Sequence, residues 1–595
     1  MNFFEHQRQA RQSTKVLVFL FALAVLAIVA AVTALIAIVL PGASDPYAPQ
    51  AQDFWVHYLS LFWFVAPVVA GVIALVSFFR VLNLSGGGDR VAQMLGAELL
   101  PLEPTELKDK QLRHVVEEMA IASGIPVPGI YVLRQDSGIN AFAAGTSPGN
   151  AVVGVTQGAL DQFTRDELQG VIAHEFSHIF NGDMNLNIKL MGVLGGILFI
   201  SSAGHTLLRS MRYSRRRSSK DSSPAVILAL GVGLLVIGWI GVFFGRWIKA
   251  AVSRQREFLA DASAVQFTRN PDGLGGALAR IKESTSAVHC KGVEDASHMF
   301  FGSVKSYLLF ATHPPIEERL RRLNHVPTEK RAPRPQAAKE TVTEAVQRVG
   351  RPGAEDLFRA TVIIQGLSAA VSQRLHQPRP AMQMVLALLA QEGGHPEVLK
   401  KIDPEIVQAA AAIAEENRLA LIDLAIPALK QLDPMHAAHL LQSLEVMVRE
   451  DGKLHPFELA VLSILRRHIE GARGARRRQE NLALKHIQDE AVHALKYLAR
   501  AGHTGEPEAR AAFSAGAVHL GLGEEAQRAG WESPLQDPLA VDRALTRLCE
   551  LGPEDKQRLF EAIWTTAHHD HSLTVSEAQA LRAFSEALEI PLPRI

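Results

Sequence analysis

From residue 16 to residue 40 the chain runs for 25 residues without a charged side chain. As a helix rising about 1.5 Å per residue, such a stretch crosses the roughly 30 Å hydrocarbon core of a bilayer. The apolar region of a cleaved signal peptide is shorter, about 7–15 residues, so the segment reads as an uncleaved anchor. Residues 54–79 form a second span, with Trp55, Tyr58 and Trp63 grouped near one interface. Arg8, Arg11 and Lys15 precede the first span and Arg80 and Arg90 follow the second, while the loop between them carries Asp45 and Asp53 but no lysine or arginine. The positive-inside rule therefore puts the N-terminus and everything after the second span in the cytoplasm, with the lipid bilayer as an obligatory partner. His57 and a later histidine, His205, sit in apolar segments and read as packed or interfacial groups rather than ligands.

The rest of the 595 residues is enough for three or four domains. A formal net charge of zero argues against a nucleic-acid binder, which carries a basic excess. Cys290 and Cys549 lie far apart and suggest no disulfide framework, in keeping with a reducing compartment. Ser85-Gly86-Gly87-Gly88 is a flexible connector, since no Gly-Lys-Ser/Thr follows to make it a phosphate loop.

Chemistry concentrates in Val171-Ile172-Ala173-His174-Glu175-Phe176-Ser177-His178. Two histidines at i and i+4 lie on one helix face, about 6 Å apart, and can reach a single metal ion. Two nitrogens with an open position suit zinc, one Zn2+ per chain, and Glu175 is placed to take a proton from metal-activated water. The flanks are helical: Thr164 to Glu167 give an acidic N-terminal start, Leu168, Val171, Ile172 and Ile179 a buried stripe, and Asn181-Gly182-Asp183 a stop. The bland alternative, two surface histidines on an amphipathic helix, leaves this context unexplained.

A zinc hydrolase needs a third protein ligand. Glu257, four residues before Asp261 on a helical pattern, is the candidate, with Asp261 holding the outer nitrogen of a ligand histidine, His174. Taken alone the pair is an ordinary i,i+4 charge pattern; with His174 and His178 it completes a ligand set.

These blocks resemble the integral-membrane gluzincin metalloproteases, the family of HtpX-like heat-shock proteases and CAAX prenyl proteases, over roughly residues 1–327. The resemblance is carried by Asn140-Ala141-Phe142-Ala143, by His174 to His178 with Gly182-Asp183, by Ser253-Arg254 through Glu257 with Ala260-Asp261, and by Thr312-His313-Pro314-Pro315 with Glu318-Arg319-Leu320, in the family's order. It implies zinc at His174, His178 and Glu257, Glu175 as general base, and a substrate strand at Asn140 to Ala143. It also implies a bacterial inner membrane, and membrane-protein or unfolded-protein substrates.

The residues near that strand support it independently. Residues 129–133 and 151–156 are short β-branched runs, with Ser147-Pro148-Gly149-Asn150 as turn chemistry between them. An edge strand beside the catalytic helix can pair with an extended peptide through its main chain; a plain structural hairpin fits the same residues. His313, fixed by two prolines ahead of a helix at 316–323, is a candidate catalytic donor to the oxyanion. Capping that helix or bracing the site wall are its other readings.

Between the second and third ligands, residues 188–248 carry two apolar arms, about 188–208 and 224–245, that must return to the same place. They form a hydrophobic hairpin whose tip holds Arg209, Arg212, Arg215, Arg216, Arg217 and Lys220. Either the hairpin crosses the bilayer against the charge rule or it only enters it; both return the chain to the cytoplasm.

The expected organisation is an anchor at 1–85, a protease domain at 86–327, a linker at 328–353 rich in Lys, Arg, Pro, Ala and Gln, and a helical region at 354–595. Within the last, an ungapped repeat at an offset of 119 residues aligns about 423–470 with about 542–589: Asp423, Leu429, Pro434, Leu440, Asp451, Glu458 and Leu462 match Asp542, Leu548, Pro553, Leu559, Asp570, Glu577 and Leu581. The pattern weakly resembles TerB-like helical domains. Neither turn is an EF-hand loop, and His568-His569-Asp570-His571 reads as a solvated turn. The region is read as a module for protein partners, whose removal by a cut after about residue 330 would leave zinc bound and cleavage of an unstructured peptide measurable while processing of the natural substrate falls. Gly471 to Arg478 is a basic connector inside it.

The fold class expected is thus a mainly helical α+β membrane protein: transmembrane helices, a gluzincin-type domain with a small sheet, and an all-α C-terminal region. The leading function is a zinc endopeptidase acting on membrane or misfolded proteins. Its rival is a catalytically inactive membrane scaffold recruiting partners through the C-terminal helices, a role that has no need of Glu175.

Overall fold

A computed structural model describes residues 3–39, 50–84, 86–214, 224–283, 301, 314–323, 341–470, 482–533, 537, 539–570 and 572–593. Two helices, α1 (Phe3–Val39) and α2 (Gln50–Leu84), carry the apolar spans Phe19–Val39 and Trp55–Leu84. Only 6% of the most apolar window of the second span is buried, and Trp63 and Phe64 are 76% and 77% exposed. A core helix of a soluble domain would hide such rings; here they stand exposed on a helix long and apolar enough to cross a membrane.

Helix α3 (Gly88–Met94) leads into a four-stranded sheet: β1 (Glu98–Leu99), then α4 (Leu107–Ser123), β2 (Gly129–Leu133), β3 (Ala141–Ala144) and β4 (Val152–Thr156). The order is β1-β2-β4-β3. β2 and β4 run parallel, while β1 and β3 are antiparallel edges. Period-two alternation sends Ile130 and Val132 toward α4 and sends Tyr131 and Leu133 toward α3. Both faces are covered, which is why these strands read as continuous apolar runs.

After α5 (Gln157–Gln162) comes α6 (Arg165–Asn181), opened by a capping box in which Thr164 Oγ1 accepts the Glu167 amide and Glu167 accepts the Thr164 amide. Gly182 then takes φ +72, and the next helix begins at once. The insertion is two long helices, α7 (Asp183–Ser214) and α8 (Pro224–Thr268), packed on each other and on α1 and α2. Ile28, Ile73, Ile197 and Ile237, one from each, share a cluster. The basic tip from 215 lies outside the described residues. Helices α9 (Pro271–Glu283) and α10 (Ile316–Leu323) complete this part.

Among the described residues, the regular structure of the C-terminal region is helical apart from one isolated bridge between Leu482 and Leu551. The described residues on either side of the composition change at 328–353 pack together. Leu357 and Ala360, on the helix Ala354–Gly366, lie in one continuous core with Val115, Met119 and Val171. His376 Nε2 lies 2.8 Å from Glu117 Oε1, and Gln377 donates to Glu103 at 2.9 Å. The repeated segments become two three-helix units, Arg418–Leu429, Pro434–Asp451 and Pro456–Leu465 against Ala540–Leu548, Pro553–Ala567 and Val575–Leu588. Their third helices pack on each other. The repeated aspartates pair across the interface: Arg582 donates to Asp423 at 2.9 Å, and Arg466 donates to Asp542.

Candidate metal centre

His174 and Glu175 are buried on α6, 0% and 1% exposed, and His178 follows one turn later. Helix α8 brings Glu257 back to them. The two Nε2 atoms are 3.2 Å apart, and each is 3.7 Å from a Glu257 oxygen, His174 from Oε2 and His178 from Oε1. Tetrahedral bonds of about 2.0–2.1 Å set ligand atoms roughly 3.4 Å apart, so the triangle has the size for zinc. Two imidazole nitrogens turned on one point also require a cation or a shared proton between them.

Each histidine is oriented by its own carboxylate. His174 Nδ1 lies 3.0 Å from Asp261 Oδ1, and His178 Nδ1 3.0 Å from Asp183 Oδ2. Arginines hold those acids in turn: Arg319 bridges both oxygens of Asp261 at 2.8 and 2.6 Å, and Arg256 donates to Asp183 at 2.6 Å. With Nδ1–H given to a carboxylate, Nε2 is left to coordinate. The structure places Asp261 beside His174, the histidine the sequence reading paired it with. Asp183 was read as part of a helix stop and of the block that carries the family resemblance, with no contact assigned to it. The αL turn at Gly182 swings it back onto His178, a relation that residue spacing alone does not disclose.

Charges in the site are unequal. Burial drives the His174 pKa down to about 4, against the pull of Asp261. Burial also opposes the His178 cation, but Asp183, Glu257 and Glu175 outweigh it and raise its pKa to about 9. Burial, reinforced by Glu257, pushes Glu175 up to about 8. Neither Glu175 oxygen finds a well-formed hydrogen bond among the described residues; the Ala143 amide favours its charge from β3.

That amide follows from strand alternation. Thr156 N donates to Asn140 O, so Phe142 and Ala144 also bond toward β4 while Ala141 and Ala143 face outward. The Ala141 carbonyl accepts the Phe301 amide at 2.8 Å, so at that position the outer edge is taken by the chain itself. The Phe301 ring stands edge-on to His174 with centroids 4.8 Å apart, and its carbonyl accepts Arg319 Nη1 at 2.9 Å. Of the predicted strand Asn140 to Ala143, the outward groups of Ala143 lie nearest the chemistry. His313 lies outside the described residues. Arg319, weighed by the sequence reading only as a weaker catalytic candidate than His313, is 1% exposed and anchors α10 to α8.

Residues 106–326 match the family described as Peptidase family M48. A protein named Protease HtpX homolog from Dictyoglomus turgidum is 44% identical over 224 residues, which are 37% of this chain and 71% of that protein. Another of that name, from Thermoanaerobacter pseudethanolicus, is 37% identical over 269 residues, 44% of this chain and 86% of the relative. The solved structure titled Crystal Structure of S. mikatae Ste24p superposes with a TM-score of 0.27 and 18% identity, over 45% of this chain and 66% of that one. That superposition is too loose to carry weight.

Proposed function

Because the chain belongs to peptidase family M48, in its HtpX-like branch, and is a membrane metalloprotease, we propose that it is a zinc endopeptidase whose ligands are His174, His178 and Glu257 and whose general base is Glu175. The observation that carries this reading is the convergence of the three ligand groups, all within 4.8 Å of one another, beside a buried carboxylate lacking a well-formed hydrogen bond. Zinc bound there supplies a nucleophilic water at neutral pH and a Lewis acid for the scissile carbonyl. The protein's own work is positional and protolytic. Asp261 and Asp183 hold the imidazoles in register. Glu175, its pKa raised to about 8, accepts a proton during attack and delivers it to the leaving amine. The outward edge of β3 at Ala143 binds the substrate main chain as an added strand, with little regard for sequence.

Substrates in this reading are membrane proteins or unfolded chains. Asp183, one turn past His178, is the first residue of a hairpin arm packed on the spanning helices, so the site sits close to the membrane surface. The protease and C-terminal regions are placed in the cytoplasm of a bacterial cell, below its inner membrane. The scaffold alternative leaves Glu175 as a buried carboxylate that costs several kcal/mol without return.

The test compares the full chain in detergent with two variants. Glu257→Ala should lose most of its zinc, while Glu175→Gln should keep zinc and lose cleavage of an unfolded protein by more than about a hundredfold. Full zinc retention by Glu257→Ala, or undiminished cleavage by Glu175→Gln, defeats the assignment.

A further inference from the structure

The turn joining β3 to β4 is stiffened from within. Asn150 Oδ1 accepts the amides of Thr146 and Ser147 at 2.7 and 3.0 Å, and Asn150 Nδ2 donates to Thr146 Oγ1 at 2.6 Å. One carbonyl on this turn, that of Gly149, is gripped from the far end of the chain. Lys430 Nζ donates to it at 3.1 Å, and His468 Nδ1 lies 3.2 Å from the same oxygen. A carbonyl oxygen has two lone pairs and accepts both.

His468 is 1% exposed and reaches further: its Nε2 lies 2.8 Å from Glu586 Oε1. The ring stands between two acceptors, the Gly149 carbonyl and the Glu586 carboxylate, and burial lowers its pKa against the pull of Glu586. Glu586 also accepts Arg582 at 2.7 Å, and Arg582 donates to Asp423 at 2.9 Å. The line from Gly149 through His468, Glu586 and Arg582 to Asp423 thus ties both repeats to the hairpin that carries β3. Docking alone needs none of this, since the helix Ala354–Gly366 already supplies an apolar contact on α4.

We propose that Lys430 and His468 are positioning residues of the peptidase, holding the β3–β4 hairpin so that the outward edge of β3 stays in register over Glu175. This rests on the reading of β3 as the substrate strand. The C-terminal repeats therefore set how well an extended peptide binds, while the metal ligands are left alone. The approach is close: a Cβ on Gly149 would stand 3.0 Å from His468 Cε1 and 3.3 Å from Arg467 Nε, so even Gly149→Ala pushes the hairpin away.

His468→Asn keeps a donor near the Nδ1 position, and His468→Gln keeps one near Nε2. In the full chain, measured with a fluorogenic peptide, His468→Gln and Lys430→Met should raise KM about tenfold, the scale of one lost hydrogen bond. In both, kcat should stay within about twofold and zinc content should not change, because only ground-state binding is touched. Amide exchange across residues 141–146 should quicken in both, as in Gly149→Ala, and His468→Asn should stay near wild type. Unaltered exchange at 141–146 in all three perturbing variants overturns the proposal. Equal effects of His468→Asn and His468→Gln also overturn it, by marking His468 as packing only. Exchange and zinc are read whether or not a peptide is cut, so an inactive wild type defeats the peptidase reading separately.

Discussion

An imidazole that keeps its proton up to about pH 9 competes with any metal for the same nitrogen. His178 Nδ1 lies against Asp183, so the labile proton is the one on Nε2, where the proposed metal would bind. Below about 9 that proton has to leave, so apparent zinc affinity should rise about tenfold per pH unit from roughly 6.5 to 8.5 and level off above 9. Chelator competition at several pH values measures this, and a flat profile below 9 contradicts the assignment. Asp183→Asn removes the charge that orients and raises His178, and should weaken zinc binding 10- to 100-fold, roughly the range for such outer carboxylates. The proposed ligands His174, His178 and Glu257, with Asp261 beside them, were legible as a set because helical spacing puts each pair on one face, and the structure brings the four together. Asp183 was not: it reaches His178 only because Gly182 adopts φ +72, a local backbone choice that spacing does not encode.

At the scale of elements, α6 was legible from its cap and stripe, and β2 and β4 from their β-branched runs. Their parallel pairing was not, since β3 comes between them in sequence yet lies outside β4 in the sheet. Nor was the role of α10. Arg319 is its one fully buried charge, tied to Asp261 on α8 and to the carbonyl of Phe301. Arg319→Met would leave the Asp261 carboxylate buried and unbalanced, at a cost of roughly 3–5 kcal/mol. A lowered unfolding temperature with reduced zinc retention is expected, since Asp261 also orients His174; unchanged thermal unfolding would remove α10 from the support of the site.

For the whole molecule, apolar spans and a helical C-terminal region were visible in composition and periodicity, and the protease with its small sheet in its motifs and the family resemblance they carry. Their mutual packing was not, because a polar linker reads the same whether or not the parts it joins share a core. Leu357 and Ala360 complete a core that includes Val115 and Met119, and Glu117, 3% exposed, is met by His376. Truncation after about residue 330 should therefore give an aggregating or zinc-poor protein rather than a working peptidase; a monodisperse, zinc-loaded truncate on size exclusion would restore the modular picture. Topology reporters at residue 46 should report outside the cytoplasm, and reporters at 120 and 400 inside; a reversed signal at 400 would overturn the orientation. The hairpin of α7 and α8 adds a matter of timing. His178 and Glu257 are 79 positions apart (257 − 178), with both arms between them. During synthesis the third ligand emerges only after the hairpin has been made, and it meets the other two only once α8 has folded back along α7. With the proposed ligand set, a nascent chain has no complete centre until α8 has folded back along α7 and brought Glu257 to α6.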